Sequence, residues 1–236
     1  MAAERKVYVV CGRRPWNRRV FNERICRLPG RWVFLASPSQ LTLARLRRLK
    51  PRFVFFLHWS WRVPKEIFSR YECVVFHMTD VPYGRGGSPL QNLILRNHRT
   101  TRLSAIRMEE ELDAGSVYLK RVLSLKGGAQ EVYERATEVS ARMIREIVER
   151  LPTPRVQGGR IVRFRRRTPA ESRIGNLRRP ERLYDFIRML DADGYPHAFL
   201  DHGGFRYTFR NARRTRQGLA ADVRIFPIGK GEKRGV

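Results

Sequence analysis

His77 closes an apolar run, CVVFHM (73–78), and opens the loop HMTDVPYGRGGSP (77–89). An imidazole at the end of a buried strand is placed to move protons, and the glycines after it let backbone approach a ligand. Arg85 has the chemistry to meet a phosphate or a carboxylate, and Gly86 follows it directly. Thr79 offers a hydroxyl, and Asp80 is placed either to meet an acceptor ammonium or to cap the loop. Downstream, EEELDAGSVY puts Asp113 and Gly115 in a turn between two strand-like runs. A carboxylate brought to His77 would orient the ring, which is general acid–base chemistry. The ordinary alternative is a satisfied strand-end histidine and an aspartate that merely forms a turn. A second histidine, His58, also ends an apolar run, beside Trp59 and Trp61. Those aromatics suit a flat heterocycle or simple packing.

Something must carry these residues to one place. VYVVC (7–11), WVFLAS (32–37), FVFFLHW (53–59) and CVVFHM (73–78) are short and almost continuously apolar. Such runs suit parallel strands covered on both faces. LTLARLRRL (41–49) and PKEIFSRY, the latter opened by Pro64, read as the intervening helices. The alternation predicts an α/β fold, a Rossmann-like mostly parallel sheet with helices on both faces. Open parallel sheets bind ligands at the carboxyl ends of their strands, where His58 and His77 lie. The first loop, CGRRPW, carries no dinucleotide fingerprint. LQNLILRNH (90–98) reads as a helix, RLSAIRM (102–108) and SVYLKRVL (116–123) as strands, and GGAQEVYERATEVSARMIREIVERL as a long amphipathic helix. PTPRVQGGRIVRFRRRTP reads as a connector. A helix at 182–190 and strands in YPHAFL, FRYTFR and DVRIFPI then form a small C-terminal α+β/β appendage. The expected organisation is a catalytic domain over 1–155, then a connector and small domain over 156–236.

The chain has 236 residues and a net charge of +27, with 42 arginines against 7 lysines. Arginine is spread along the whole chain, which suits coding bias, yet the charge favours a phosphate-bearing partner: a nucleotide, a nucleotide sugar or RNA. Three cysteines, Cys11, Cys26 and Cys73, form no CxxC pair. Neither a disulfide framework nor a metal site is expected. No apolar run approaches a membrane span, and the opening run is too short for a signal peptide, so a cytoplasmic protein is expected.

The sequence resembles the folate-dependent formyltransferases over roughly residues 5–150. That family shows Asn-x-His-x-Ser-Leu-Leu-Pro, then an Arg-Gly pair and a proline, then Leu-Asp-Thr-Gly. Here the matching positions are His77, Thr79, Pro82, Arg85-Gly86, Pro89 and Leu112-Asp113-Ala114-Gly115. FLHWSWRVPKEIF (56–68) looks, more weakly, like the loop that lines the folate pocket. The resemblance implies formyl transfer from N10-formyltetrahydrofolate to an amine, with His77 and Asp113 catalytic. It places His58, Trp59, Asp113 and Gly115 near the folate, and Thr79, Asp80, Arg85 and Gly86 near the acceptor. One position departs: the family's asparagine two residues before the histidine is Val75 here. That amide helps hold the oxyanion, so another donor must replace it, with Thr79, Asn92, His58 or a backbone N–H in the glycine loop as candidates. The short C-terminal segment and GRRPWN look like sugar-type relatives, so a nucleotide-linked amino sugar is the expected acceptor. A tRNA acceptor, contacted by RFRRR (163–167), is the alternative, as is a non-catalytic folate- or RNA-binding relative. A homodimer is compatible with the sequence.

Overall fold

The computed structural model describes residues 6–228. It divides into two units by contact. The first holds the chain up to Pro89, then Thr100–Ser124 and Tyr133–Phe164; the second holds Leu90–Arg99, Leu125–Val132 and the chain from Arg165.

Along the chain the elements are β1 (Val7–Gly12), α1 (Pro15–Val20), β2 (Arg31–Leu35), α2 (Leu43–Leu49), β3 (Phe53–Leu57), α3 (Lys65–Phe68), β4 (Cys73–His77) and β5 (Tyr83–Gly86). Then come α4 (Pro89–Leu95), β6 (Thr100–Arg107), β7 (Val117–Ser124), α5 (Ala129–Arg150) and β8 (Val162–Phe164). The chain continues with α6 (Pro180–Arg188), β9 (Ala198–His202), β10 (Phe205–Thr215) and β11 (Gly218–Pro227).

The first unit is built on a six-stranded sheet in the order β2-β1-β3-β4-β6-β7. The four apolar strands pair in parallel, β6 runs antiparallel to β4 at one side, and β7 runs antiparallel to β6. This is the mostly parallel α/β sheet expected. All five residues of β3 are buried, as its unbroken FVFFL run requires. Val9, Cys11, Val54, Phe56 and Cys73 share one face of the sheet with Leu35, Leu41, Leu46, Val63 and Ile67 in a continuous core. Burial pushes the Cys73 thiol up to about 12 and raises Cys11 as well, so neither is a reactive thiolate. The helix expected at 41–49 begins at Leu43 because Thr42 caps it, accepting from the Arg45 amide at 3.2 Å.

Three elements differ from the sequence reading. Pro15 starts a short helix where a loop had been expected. Tyr83–Gly86, within the glycine loop, forms a strand that pairs in parallel with Val162–Phe164 of the connector. These strands are too short and too glycine- and arginine-rich to carry a period. Their pairing ties Val162–Phe164 to the first unit, and the last stretch of the second unit by contact starts at Arg165.

The second unit carries an antiparallel sheet in the order β11-β10-β9, a small α+β module with α6. Among the described residues no helix is long and apolar enough to cross a membrane.

Candidate active site

β4 delivers His77 at its carboxyl end, and the chain then loops back to it. His77 Nε2 lies 2.8 Å from the Gly84 carbonyl oxygen. A carbonyl can only accept, so Nε2 carries a hydrogen. Thr79, fully buried, donates its hydroxyl to the same carbonyl at 3.2 Å, and Ser104 donates to the Thr79 carbonyl at 2.7 Å. His77 Nδ1 faces Asp113 Oδ1 at 3.4 Å, and the two side chains are only 8% and 7% exposed. With both ring nitrogens facing acceptors, the pair has a place for one further proton between Nδ1 and Oδ1. The other carboxylate oxygen of Asp113 accepts from the Gly86 amide at 3.0 Å. The two sequence segments singled out for chemistry therefore meet directly.

Backbone constraints hold this arrangement. Gly86 sits at φ +107, and a Cβ there would strike the Phe164 carbonyl. Gly115 lies so close to the Arg107 carbonyl that a side chain would force the turn off β6. Asp113 itself adopts a left-handed conformation, φ +55, which aspartate tolerates better than most residues.

The expected acceptor-binding residues are engaged within the chain. Arg85 is buried, and its Nε and Nη2 donate to Gln157 Oε1 at 3.0 and 2.8 Å, while Nη1 lies 3.5 Å from Glu111. Asp80 pairs with Lys120 at 2.5 Å and Arg102 at 3.6 Å.

His58 follows β3 directly, at φ +46. Since Phe56 of β3 pairs with Val75 of β4, His58 and His77 each lie two residues past a paired position. The Trp16 indole donates to His58 Nδ1 at 3.3 Å, and Asn17 Nδ2 and Thr137 Oγ1 lie 3.3 and 3.4 Å from the same nitrogen. Nδ1 is thus an acceptor and the ring hydrogen sits on Nε2. Burial, then the charge of Arg14, lowers the His58 pKa from 6.5 to about 4, so the ring is neutral at physiological pH. Asn17, fully buried, had no signal in the sequence beyond its place after Pro15-Trp16.

Val75 packs against the core beneath these ends and supplies no donor. Other candidate donors are committed: the Asn92 amide donates to the Arg165 carbonyl, the Gly86 N–H to Asp113, and the Gly87 N–H to the Phe164 carbonyl. His58 keeps an N–H at Nε2. Trp59, edge-on to Trp61 at 4.8 Å, has a buried Nε1–H with no hydrogen-bond partner. An orphaned donor among aromatic rings suits a flat, acceptor-rich heterocycle such as a pterin. Among the described residues, no group of three or more His, Cys, Asp or Glu gathers to hold a metal ion.

Known proteins share this framework. A solved structure titled methionyl-tRNA formyltransferase from Clostridium thermocellum is 38% identical, superposes with a TM-score of 0.89, and the match covers 94% of this chain and 99% of that one. The chain belongs to the formyltransferase family. Residues 169–226 match the family model described as the methionyl-tRNA formyltransferase C-terminal domain. A methionyl-tRNA formyltransferase from Campylobacter jejuni subsp. doylei is 26% identical over 71% of this chain and 56% of its own length, so the chain spans about half of that curated relative. Two further structures share the fold. HypX from Aquifex aeolicus, in complex with tetrahydrofolic acid, is 16% identical with a TM-score of 0.74, covering 96% of this chain and 46% of that one. A sugar N-formyltransferase from a Shewanella species is 14% identical with a TM-score of 0.62, covering 89% and 98%.

Proposed function

We propose that the chain transfers a formyl group from N10-formyltetrahydrofolate to a primary amine. The observation that carries this reading is the buried His77–Asp113 pair at the end of a parallel strand, backed by the glycine loop. Bound there, the folate would supply the formyl group. Trp59 and the aromatic loop after β3 would hold its ring, and Gly115 would keep the Asp113 turn tight. His77 carries its hydrogen at Nε2 and would turn that N–H toward the oxyanion, while the Asp113 carboxylate beside Nδ1 would take up the proton that the attacking amine gives off. His58 is the donor best suited to stand in for the amide missing at Val75: neutral, oriented by three partners, and at the end of the neighbouring strand. A group aimed at a developing oxyanion is worth about 10²–10³ in rate.

For the acceptor, two readings share one chemistry, an amine on a phosphorylated carrier. The small second unit and the resemblance to sugar-type relatives support a nucleotide-linked amino sugar. A specific observation favours an aminoacyl-tRNA: the 38% identical relative bears that enzyme's name, and residues 169–226 match its C-terminal domain. On that similarity the tRNA reading ranks first. The test is tetrahydrofolate release from the formyl donor against methionyl-tRNA, nucleotide-linked amino sugars and small amines. Release dependent on tRNA, with affinity falling steeply in salt, supports the first reading; release dependent on a sugar supports the second. No release with any acceptor overturns formyl transfer.

A further inference from the structure

Gln157 lies in the stretch between α5 and β8, and no motif marks it. Its side chain makes four hydrogen bonds. Oε1 accepts from Nε and Nη2 of the buried Arg85 at 3.0 and 2.8 Å. Nε2 donates to the Asp113 and Gly115 carbonyls at 2.9 and 2.8 Å. Only one orientation of the amide satisfies both sides, since guanidinium cannot accept and carbonyls cannot donate. The backbone that presents it is pinned two residues earlier, where Arg155 and Val117 exchange both backbone hydrogen bonds at 2.7 and 2.9 Å.

Its target needs holding. Asp113 lies in a left-handed turn whose neighbour Leu112 is 68% exposed, so the turn has little packing of its own. The carboxylate at its tip must nonetheless meet His77 on one side and the Gly86 amide on the other. Gln157 ties the backbone of that turn to Arg85, the residue beside Gly86. This closes a ring of contacts from Asp113 through Gly86 and Arg85 to Gln157 and back to Asp113.

We propose that Gln157 is a positioning residue for the catalytic pair, clamping the Asp113 turn against the Arg85-Gly86 strand so that the carboxylate stays on His77. The proposal rests on the formyl-transfer reading for its kinetic consequence, and on geometry alone for the clamp.

Two variants test it. Gln157→Met keeps the length and removes all four hydrogen bonds. Gln157→Glu keeps the acceptor for Arg85 and loses both donors to the turn. Each is expected to lower kcat about 10–100-fold while leaving KM for donor and acceptor within about twofold, as a small displacement of a catalytic group does. Each is also expected to speed hydrogen exchange of the Gly86 amide about tenfold or more, because its acceptor is the Asp113 carboxylate. The exchange measurement needs no turnover. If the wild-type protein transfers no formyl group, the functional reading fails while faster exchange still supports the clamp. Unchanged exchange in a folded variant overturns the proposal, whatever kcat does. So does a loss in which kcat and KM move together with melting temperature, or the failure of both variants to fold. Each of those assigns Gln157 to stability.

Discussion

The two units build sheets by opposite means. In the first, β3 is buried along its whole length, and His77 meets Asp113 where β4 ends. In the second, β10 and β11 pair over nine positions, yet Ile225 is 58% exposed and β10 carries four arginines. The second unit also holds a buried cation outside its sheet. Arg188 is buried against Asp185 at 2.7 Å and donates to the Leu125 and Gly127 carbonyls at 2.7 and 2.8 Å. The contrast separates two roles. A sheet covered on both faces can hold catalytic groups still at one end, and an exposed arginine-bearing sheet can offer a surface to a charged partner.

The largest effect should come from the first unit's strand end. His77→Ala should reduce turnover about 10²–10⁴-fold, and Asp113→Asn toward the lower part of that range, with melting temperature little changed. Turnover at the wild-type level in either variant removes that residue from the mechanism and leaves the first unit a scaffold. Next comes the second unit's buried cation. Arg188→Met leaves Asp185 with Arg99 at 3.9 Å in place of a cation at 2.7 Å and strands two carbonyls, and should cost about 3–5 kcal/mol in denaturant unfolding. A cost below about 1 kcal/mol would show that the second unit is held by its sheet after all.

His58 gives a smaller effect with a defined sign. Its pKa falls from 6.5 in the unfolded chain to about 4 in the fold. Between those values the unfolded chain binds more protons, so stability present above pH 6.5 drains away as pH falls toward 4, by at most about 3 kcal/mol. His58→Gln should flatten the stability profile through that window. A profile identical to the wild type would show that His58 is not the buried, neutral donor described.

Legibility in the sequence depended on whether a role is written in a local run of residues, and the first unit shows both cases. β1, β3 and β4 were readable because burial on both faces writes an unbroken apolar run, and His77 and Asp113 stood out because each ends or turns a strand. β5 and β8 were not readable, since strands of four and three residues carry no period and exist only by pairing with each other. Asn17 and Gln157 were hidden for a related reason. Their roles lie in contacts 41 and 42–72 residues away, to His58 and to Asp113, Gly115 and Arg85, and a single polar residue in a local window does not announce such partners. That Gln157 engages Arg85 and Lys120 engages Asp80 was likewise hidden, because sequence shows a charge without the partner that meets it.

The smallest effect sharpens the comparison most directly. Arg206 makes two contacts to Asp201 across the β9–β10 pair, at 2.8 and 3.0 Å, and its guanidinium lies 4.1 Å from the Phe199 ring. Half of its side chain meets solvent, so the pair is screened and Arg206→Ala should cost less than about 1 kcal/mol of stability. A loss that small, in a residue so well paired, would mean the arginine's worth lies outside the fold. The companion measurement is acceptor affinity. If the second unit's sheet meets a polyanionic acceptor, Arg206→Ala should weaken binding severalfold and reduce the slope of log affinity against log salt by close to one. A stability loss above about 2 kcal/mol with unaltered affinity would make Arg206 a structural residue and erase the distinction between a covered sheet that works and an exposed one that binds.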